Sequence, residues 1–121
     1  MNKLILIGRL TKEPDMKSNE DGFILCAVSL AVSRAYKDKG TGEYESDFFN
    51  LKAFSKTASY IEQYLNKGDL VSIEGTVKIK KWEQDGATRY GNDFIIDRIS
   101  RLAKAKKTAE FNESSTGNTP F

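Results

Sequence analysis

Between Phe23 and Tyr36 apolar side chains recur at every second position, and no other feature of the chain restricts its fold as much. Ile24, Cys26, Val28, Leu30 and Val32 mark one face without a break. Successive side chains of an extended chain point to opposite sides, so this pattern suits a strand with one face on a core and does not suit a helix. The other face carries Phe23, Leu25, Ala27, Ser29, Ala31 and Ser33, small and increasingly polar toward its end. A strand of this length can run past the body of a domain and carry Arg34 and Tyr36 outward.

The segment Asp47–Phe54 alternates in the same way. Phe49, Leu51 and Ala53 share one face, and Phe48, Asn50, Lys52 and Phe54 share the other. The first set is ordinary core. The second admits two readings: a face covered by a helix or another subunit, or a platform whose rings stack on bases while Lys52 meets phosphate. Between these strands, Tyr36–Tyr44 reads as a mobile hairpin loop mixing lysines with tyrosines.

The remaining segments follow by the same rules. Leu4–Ile7 is a continuous apolar run, which suggests burial on both faces, within the fold or against a second subunit. Thr11–Gly22 is polar, contains Pro14 and ends on Asp21-Gly22, and is expected to be a loop. Ser55–Lys67 is the one helix expected, with Ser55 as its N-cap, Ala58, Ile61 and Leu65 on its apolar stripe, and Gly68 as its C-cap. Asp69–Trp82 returns to period two. Its inner face is Val71, Ile73, Val77 and Ile79, its outer face includes Lys78, Lys80 and Trp82, and Gly75 marks a bend or bulge. Glu83–Asn92 holds Asp85-Gly86, Arg89 and Tyr90 and is expected to be a second long loop. Asp93–Leu102 closes the domain, with Phe94 and Ile96 or Ile95 and Ile99 as its buried set.

Composition narrows the function. The single cysteine excludes a disulfide framework within one chain, and with no histidine a zinc site and imidazole-based catalysis are excluded as well. The acids are scattered; Asp93 and Asp97 share a face of one strand but stand too far apart to share a metal. No enzymatic activity, metal or cofactor is expected. No apolar run approaches the roughly 18 residues that a membrane span requires. The N-terminus lacks the pattern of a signal peptide, so a cytoplasmic location is expected. The formal charge of +2 says little, but Lys78, Lys80 and Lys81 crowd around Trp82.

Five strands, a helix between the third and fourth, and long hairpin loops describe an all-β, partly open Greek-key barrel of the OB type over residues 1–103. Residues 104–121 are expected to form a disordered tail. Ligands on this fold lie across strands two and three and between the flanking loops, the elements that carry Tyr36, Phe48, Lys52 and Phe54.

The residues 2–10 (Asn-Lys-Leu-Ile-Leu-Ile-Gly-Arg-Leu), 29–33 (Ser-Leu-Ala-Val-Ser), 64–68 (Tyr-Leu-Asn-Lys-Gly), 73–75 (Ile-Glu-Gly) and 80–82 (Lys-Lys-Trp) resemble the bacterial and phage single-stranded DNA-binding proteins in order and spacing. The resemblance implies a protein that coats single strands in replication, recombination and repair, at the replication fork in the bacterial cytoplasm. It places base-stacking aromatics at Tyr36, Phe48, Phe54 and Trp82; Arg34, Lys37, Lys52, Lys78 and Lys80 are the accompanying candidates for phosphate contacts. It also implies a homotetramer, with Leu4–Ile7 as a subunit seam, and a C-terminal tip that docks replication and repair proteins. Pro120-Phe121 match that tip, but Gly117-Asn118-Thr119 replace the acidic run expected before it. The same barrel face would also serve an RNA binder, an OB protein of replication restart or a protein-interaction subunit.

Overall fold

The computed structural model describes residues 1–18, 22 and 24–105. Along the chain these form β1 (Leu4–Leu10), β2 (Asp15–Ser18), β3 (Ile24–Lys37), β4 (Tyr44–Phe54), α1 (Ser55–Tyr64), β5 (Leu70–Gln84) and β6 (Ala87–Ala103). The expected tail falls almost wholly outside the described residues, Pro120 and Phe121 included.

The sheet runs in the order β1-β5-β6-β4-β3-β2, and a further pairing of β1 with β3 closes β1, β5, β6, β4 and β3 into a barrel. Four of the five barrel contacts are antiparallel; β4 and β6 run parallel, with Leu51 opposite Phe94 and Lys52 opposite Ile95. This is the expected OB barrel. Inside it, the alternate positions Cys26, Val28 and Leu30 of β3 meet Leu51 and Ala53 of β4 and Val71 and Ile73 of β5, all buried.

Four local expectations need correction. Residues 15–18 are not loop: β2 pairs along the edge of β3, from Asp15 opposite Ala27 to Ser18 opposite Ile24, because Met16 packs against the core. The expected loop at Glu83–Asn92 is strand as well. β5 and β6 pair from Leu70 to Gln84 and turn on Asp85 and Gly86, whose φ values of 52° and 78° suit a two-residue hairpin turn. The ribbon projects beyond the barrel, so Ile79 is 68% exposed rather than inward. Between β3 and β4 only residues 38–43 lie outside strands. Asp38 Oδ2 accepts hydrogen bonds there from the backbone N–H groups of Gly40 and Thr41.

The fourth correction concerns the helix. Ser55 is its first residue rather than its cap, and extended Phe54 precedes it with no capping side chain. The helix ends at Tyr64, before Gly68, where Leu65 N–H bonds to Ile61 O at 3.0 Å. Gly68, with φ of 89°, belongs to the turn that follows. That turn is organised by Asp69, which is buried; its carboxylate accepts the backbone N–H of Asn66 at 2.9 Å and of Ala105 at 2.8 Å. Buried Ala58 and Ile61 hold α1 on β3, β4 and β6.

Gly75 is the bulge site expected. A side chain there would overlap the Ile95 carbonyl oxygen, so only glycine lets β5 approach β6 this closely. The register passes from Glu74 opposite Arg98 to Gly75 opposite Ile96, leaving Asp97 as the extra residue. Inward phase therefore switches at Asp97: Phe94 and Ile96 face the core before it, and Ile99 after it. A bulge explains why no single period fits this segment.

Candidate nucleic-acid interface

Across the outer face of the β3–β4 pair, small residues stand opposite large ones. Ala31 faces Phe48, Ser29 faces Asn50 and Ala27 faces Lys52. Short β3 side chains cannot cover their neighbours, so Phe48 remains 71% exposed. Phe54, half-buried at the end of the row opposite Leu25, shares its face. Tyr36 is 69% exposed near the hairpin tip, and Tyr44 beside it carries Lys37 5.6 Å from its ring centroid.

The ribbon extends this surface. Alternation puts Lys78, Lys80 and Trp82 of β5 on one face, opposite Asp93, Gly91 and Arg89 of β6. Lys80 Nζ stands 5.6 Å from the Trp82 ring centroid, a cation–π distance. Gly91 makes room for both. An added Cβ would sit 3.1 Å from Trp82 Cζ3 and 3.2 Å from Lys80 Cε.

The parallel β4–β6 contact joins the two halves. Asp93 Oδ1 lies 3.3 Å from Lys52 Nζ and 3.4 Å from Lys80 Nζ, so a β4 lysine and a β5 lysine meet at one β6 carboxylate. Desolvation pushes the Asp93 carboxyl up, but the hydrogen bond and charge of Lys52, with the charge of Lys80, hold it below the usual range. Lys78 makes no ion pair among the described residues.

Arg34 does not join this group. Its guanidinium donates to Asp47 at 2.8 and 3.1 Å and to Glu45 at 3.1 Å. Asp47 and Glu45 have the phase of Phe49 and Leu51, so the Arg34 pair lies on the core side of the sheet, away from Phe48; Tyr36 lies within the break in β3–β4 register between Ser33 and Lys37. The Asp47 hydrogen bond pushes the Arg34 pKa up, and the same bond holds Asp47 below its usual value.

Arg89 was left out as a site residue because 83–92 reads as loop, and Asp93 was weighed only as a metal ligand. Once Asp85-Gly86 is taken as a hairpin turn, simple alternation puts Arg89 beside Trp82 and Asp93 beside Lys78. Tyr90, opposite Lys81, lies on the other face of the ribbon and is 66% exposed.

A closed OB barrel with bare rings and lysines along one outer face defines a nucleic-acid-binding class of protein. Comparison with known proteins narrows this class. Residues 1–102 match the model of the Single-strand binding protein family, and the chain belongs to that family. It is 33% identical to the single-stranded DNA-binding protein of Bacillus cereus, over 97% of this chain and 71% of that protein. It is 30% identical to single-stranded DNA-binding protein 2 of Staphylococcus aureus strain COL, over 100% of this chain and 91% of the relative. Among solved structures, a deletion mutant of the single-stranded DNA binding protein from Thermus aquaticus superposes with a TM-score of 0.69 at 27% identity. The match covers 84% of this chain and half the length of that one.

Proposed function

We propose that the protein binds single-stranded DNA without cofactor or catalysis, laying the strand over the outer face of β3 and β4 and along the β5–β6 ribbon. Bases stack on Tyr36, Phe48, Phe54 and Trp82, and Lys37, Lys52, Lys78, Lys80 and Arg89 meet phosphates. Arg34 reaches a phosphate only by giving up Asp47 and Glu45. The observation that carries this reading is Phe48, an exposed ring opposite an alanine and four positions from Lys52 in a strand whose other face is core. Every base has a π-face, so stacking accepts any sequence, whereas a duplex hides those faces. The role is to cover and protect single strands during replication, recombination and repair in the bacterial cytoplasm. Partner proteins are recruited through Pro120-Phe121, which lie outside the described residues.

Titration with a poly-dT oligonucleotide tests this directly, since Trp82 is the sole tryptophan. Quenching by poly-dT, with much weaker quenching by duplex DNA, is expected. No quenching by poly-dT, with unchanged anisotropy of a labelled oligonucleotide, overturns the reading in favour of a protein-interaction barrel. An RNA oligonucleotide that outcompetes poly-dT would assign the face to RNA.

The acting form is a homotetramer. In β1, Leu4 and Leu6 pack on the core while Ile5 and Ile7 remain 64% and 45% exposed, an apolar outer row suited to a second copy. Light scattering should return four times the 13.6 kDa chain mass; a monomer at micromolar concentration would exclude it.

A further inference from the structure

At the middle of the cationic face sits a carboxylate. Asp93 has a side chain only 23% exposed, and it contacts Lys52 and Lys80, whose side chains are 41% and 48% exposed. Two lysines assigned to phosphate contacts thus share one acceptor before any strand arrives. The three groups together offer a net charge of +1 where the lysines alone would offer +2.

We propose that Asp93 is an affinity-limiting counter-ion, which holds Lys52 and Lys80 back from phosphate so that these two lysines add little to the grip on the strand. The proposal rests on the reading of this face as the single-strand interface. A phosphate entering beside either lysine competes with a carboxylate already in contact and less solvated than a surface acid. It also meets that carboxylate's own negative charge. Trp82 and Phe48 are outside this competition, because neither ring touches Asp93 through charge. Lys80 is tied to both systems, its Nζ standing 3.4 Å from Asp93 and 5.6 Å from the Trp82 ring centroid. The arrangement therefore limits the salt-sensitive part of binding and leaves the stacking part intact.

The test is a double-mutant comparison on the full chain, read by anisotropy of a labelled poly-dT oligonucleotide across a salt series. Asp93→Asn keeps the shape of the side chain and removes its charge. It should tighten binding several-fold at low salt and steepen the log–log salt slope by about 0.7, the release expected for one more neutralised phosphate on a single strand. Lys52→Ala should weaken binding less than about twofold in the wild-type background and about fivefold in the Asp93→Asn background, because only there is the lysine free. Glu62→Gln, on the exposed side of α1, removes the same charge elsewhere and should leave the slope unchanged.

Equal losses from Lys52→Ala in both backgrounds, or weaker binding by Asp93→Asn, overturn the proposal. No loss from Lys52→Ala in either background overturns it too. In that last case Phe48→Ala separates the two levels: a large loss leaves the interface in place, and no loss removes the interface with the proposal. Circular dichroism melting checks each variant for folding, and Asp93→Ser repeats the comparison should Asp93→Asn melt early.

Discussion

Ala31 stands directly opposite Phe48 across the β3–β4 pair, and a methyl group facing a benzyl group leaves the ring clear of the sheet. The same relation recurs along the row, with Ser29 opposite Asn50 and Ala27 opposite Lys52. The platform is thus made by what β3 lacks as much as by what β4 carries. A core strand needs large side chains on one face only, so the outer face of β3 is free to stay small.

Phe48→Ala and Trp82→Ala should each weaken single-strand binding by about 1–3 kcal/mol while leaving the melting temperature unchanged. Ala31→Leu should weaken it as well, by filling the space beside the Phe48 ring. Binding isotherms and thermal melts on the same samples check this. A collapsed fold in Phe48→Ala would mean that the ring is a packing residue.

Gly91→Ala should alter the site without altering the fold. The atoms nearest the added methyl belong to the far edge of Trp82 and the end of Lys80, both of which can move. A shifted Trp82 emission maximum and reduced quenching by poly-dT are expected, with an unchanged urea midpoint. An unchanged emission maximum would show that the indole does not rest on Gly91.

Asp69→Ala should destabilise the domain by about 1–2 kcal/mol, because it removes the buried carboxylate that accepts the part-buried N–H groups of Asn66 and Ala105. Asp69→Asn, which keeps one carbonyl oxygen, should lose less. Urea denaturation followed by circular dichroism measures both. Single-strand affinity below the transition should stay as in the wild type, since Asp69 lies away from the ring-bearing face.

Acid should loosen the β3–β4 hairpin before it unfolds the barrel. The Arg34 hydrogen bond and charge hold Asp47 below its usual value, so the pair's contribution is fully present above the unfolded carboxylate range. It is lost as pH falls through the lowered folded value, because protonated Asp47 no longer pairs. Both groups are exposed, so the effect is small. Amide protection in 34–47, taken relative to the intrinsic exchange rate at each pH, should fall below about pH 4, and Asp47→Asn should show that lower protection already at neutral pH.

The inner faces of the strands were legible because alternation is a local property. Cys26, Val28 and Leu30 in β3, and Leu51 and Ala53 in β4, occupy the core positions their spacing assigns. Gly75 was legible as a break, because it interrupts an apolar row that resumes on the same face two residues later. Ser55 was misread as a cap because β4 runs straight into α1, with extended Phe54 taking the position that a capping side chain would need. Residues 83–92 of the β5–β6 ribbon were misread because they are mostly polar and exposed on both faces, and polarity without burial resembles a loop.

By itself the sequence determined the number of barrel strands, the single helix and the outward facing of Phe48 and Trp82, because side-chain period and turn residues act over a few neighbours. The tertiary structure alone decided that Lys52 and Lys80 share Asp93. It also decided that Arg34 pairs on the opposite side from Phe48, and that Asp97 is the bulge which reverses the phase of β6. These facts depend on which strands lie side by side and in what register. Barrel closure sets that register through contacts between distant segments, and no local period contains it.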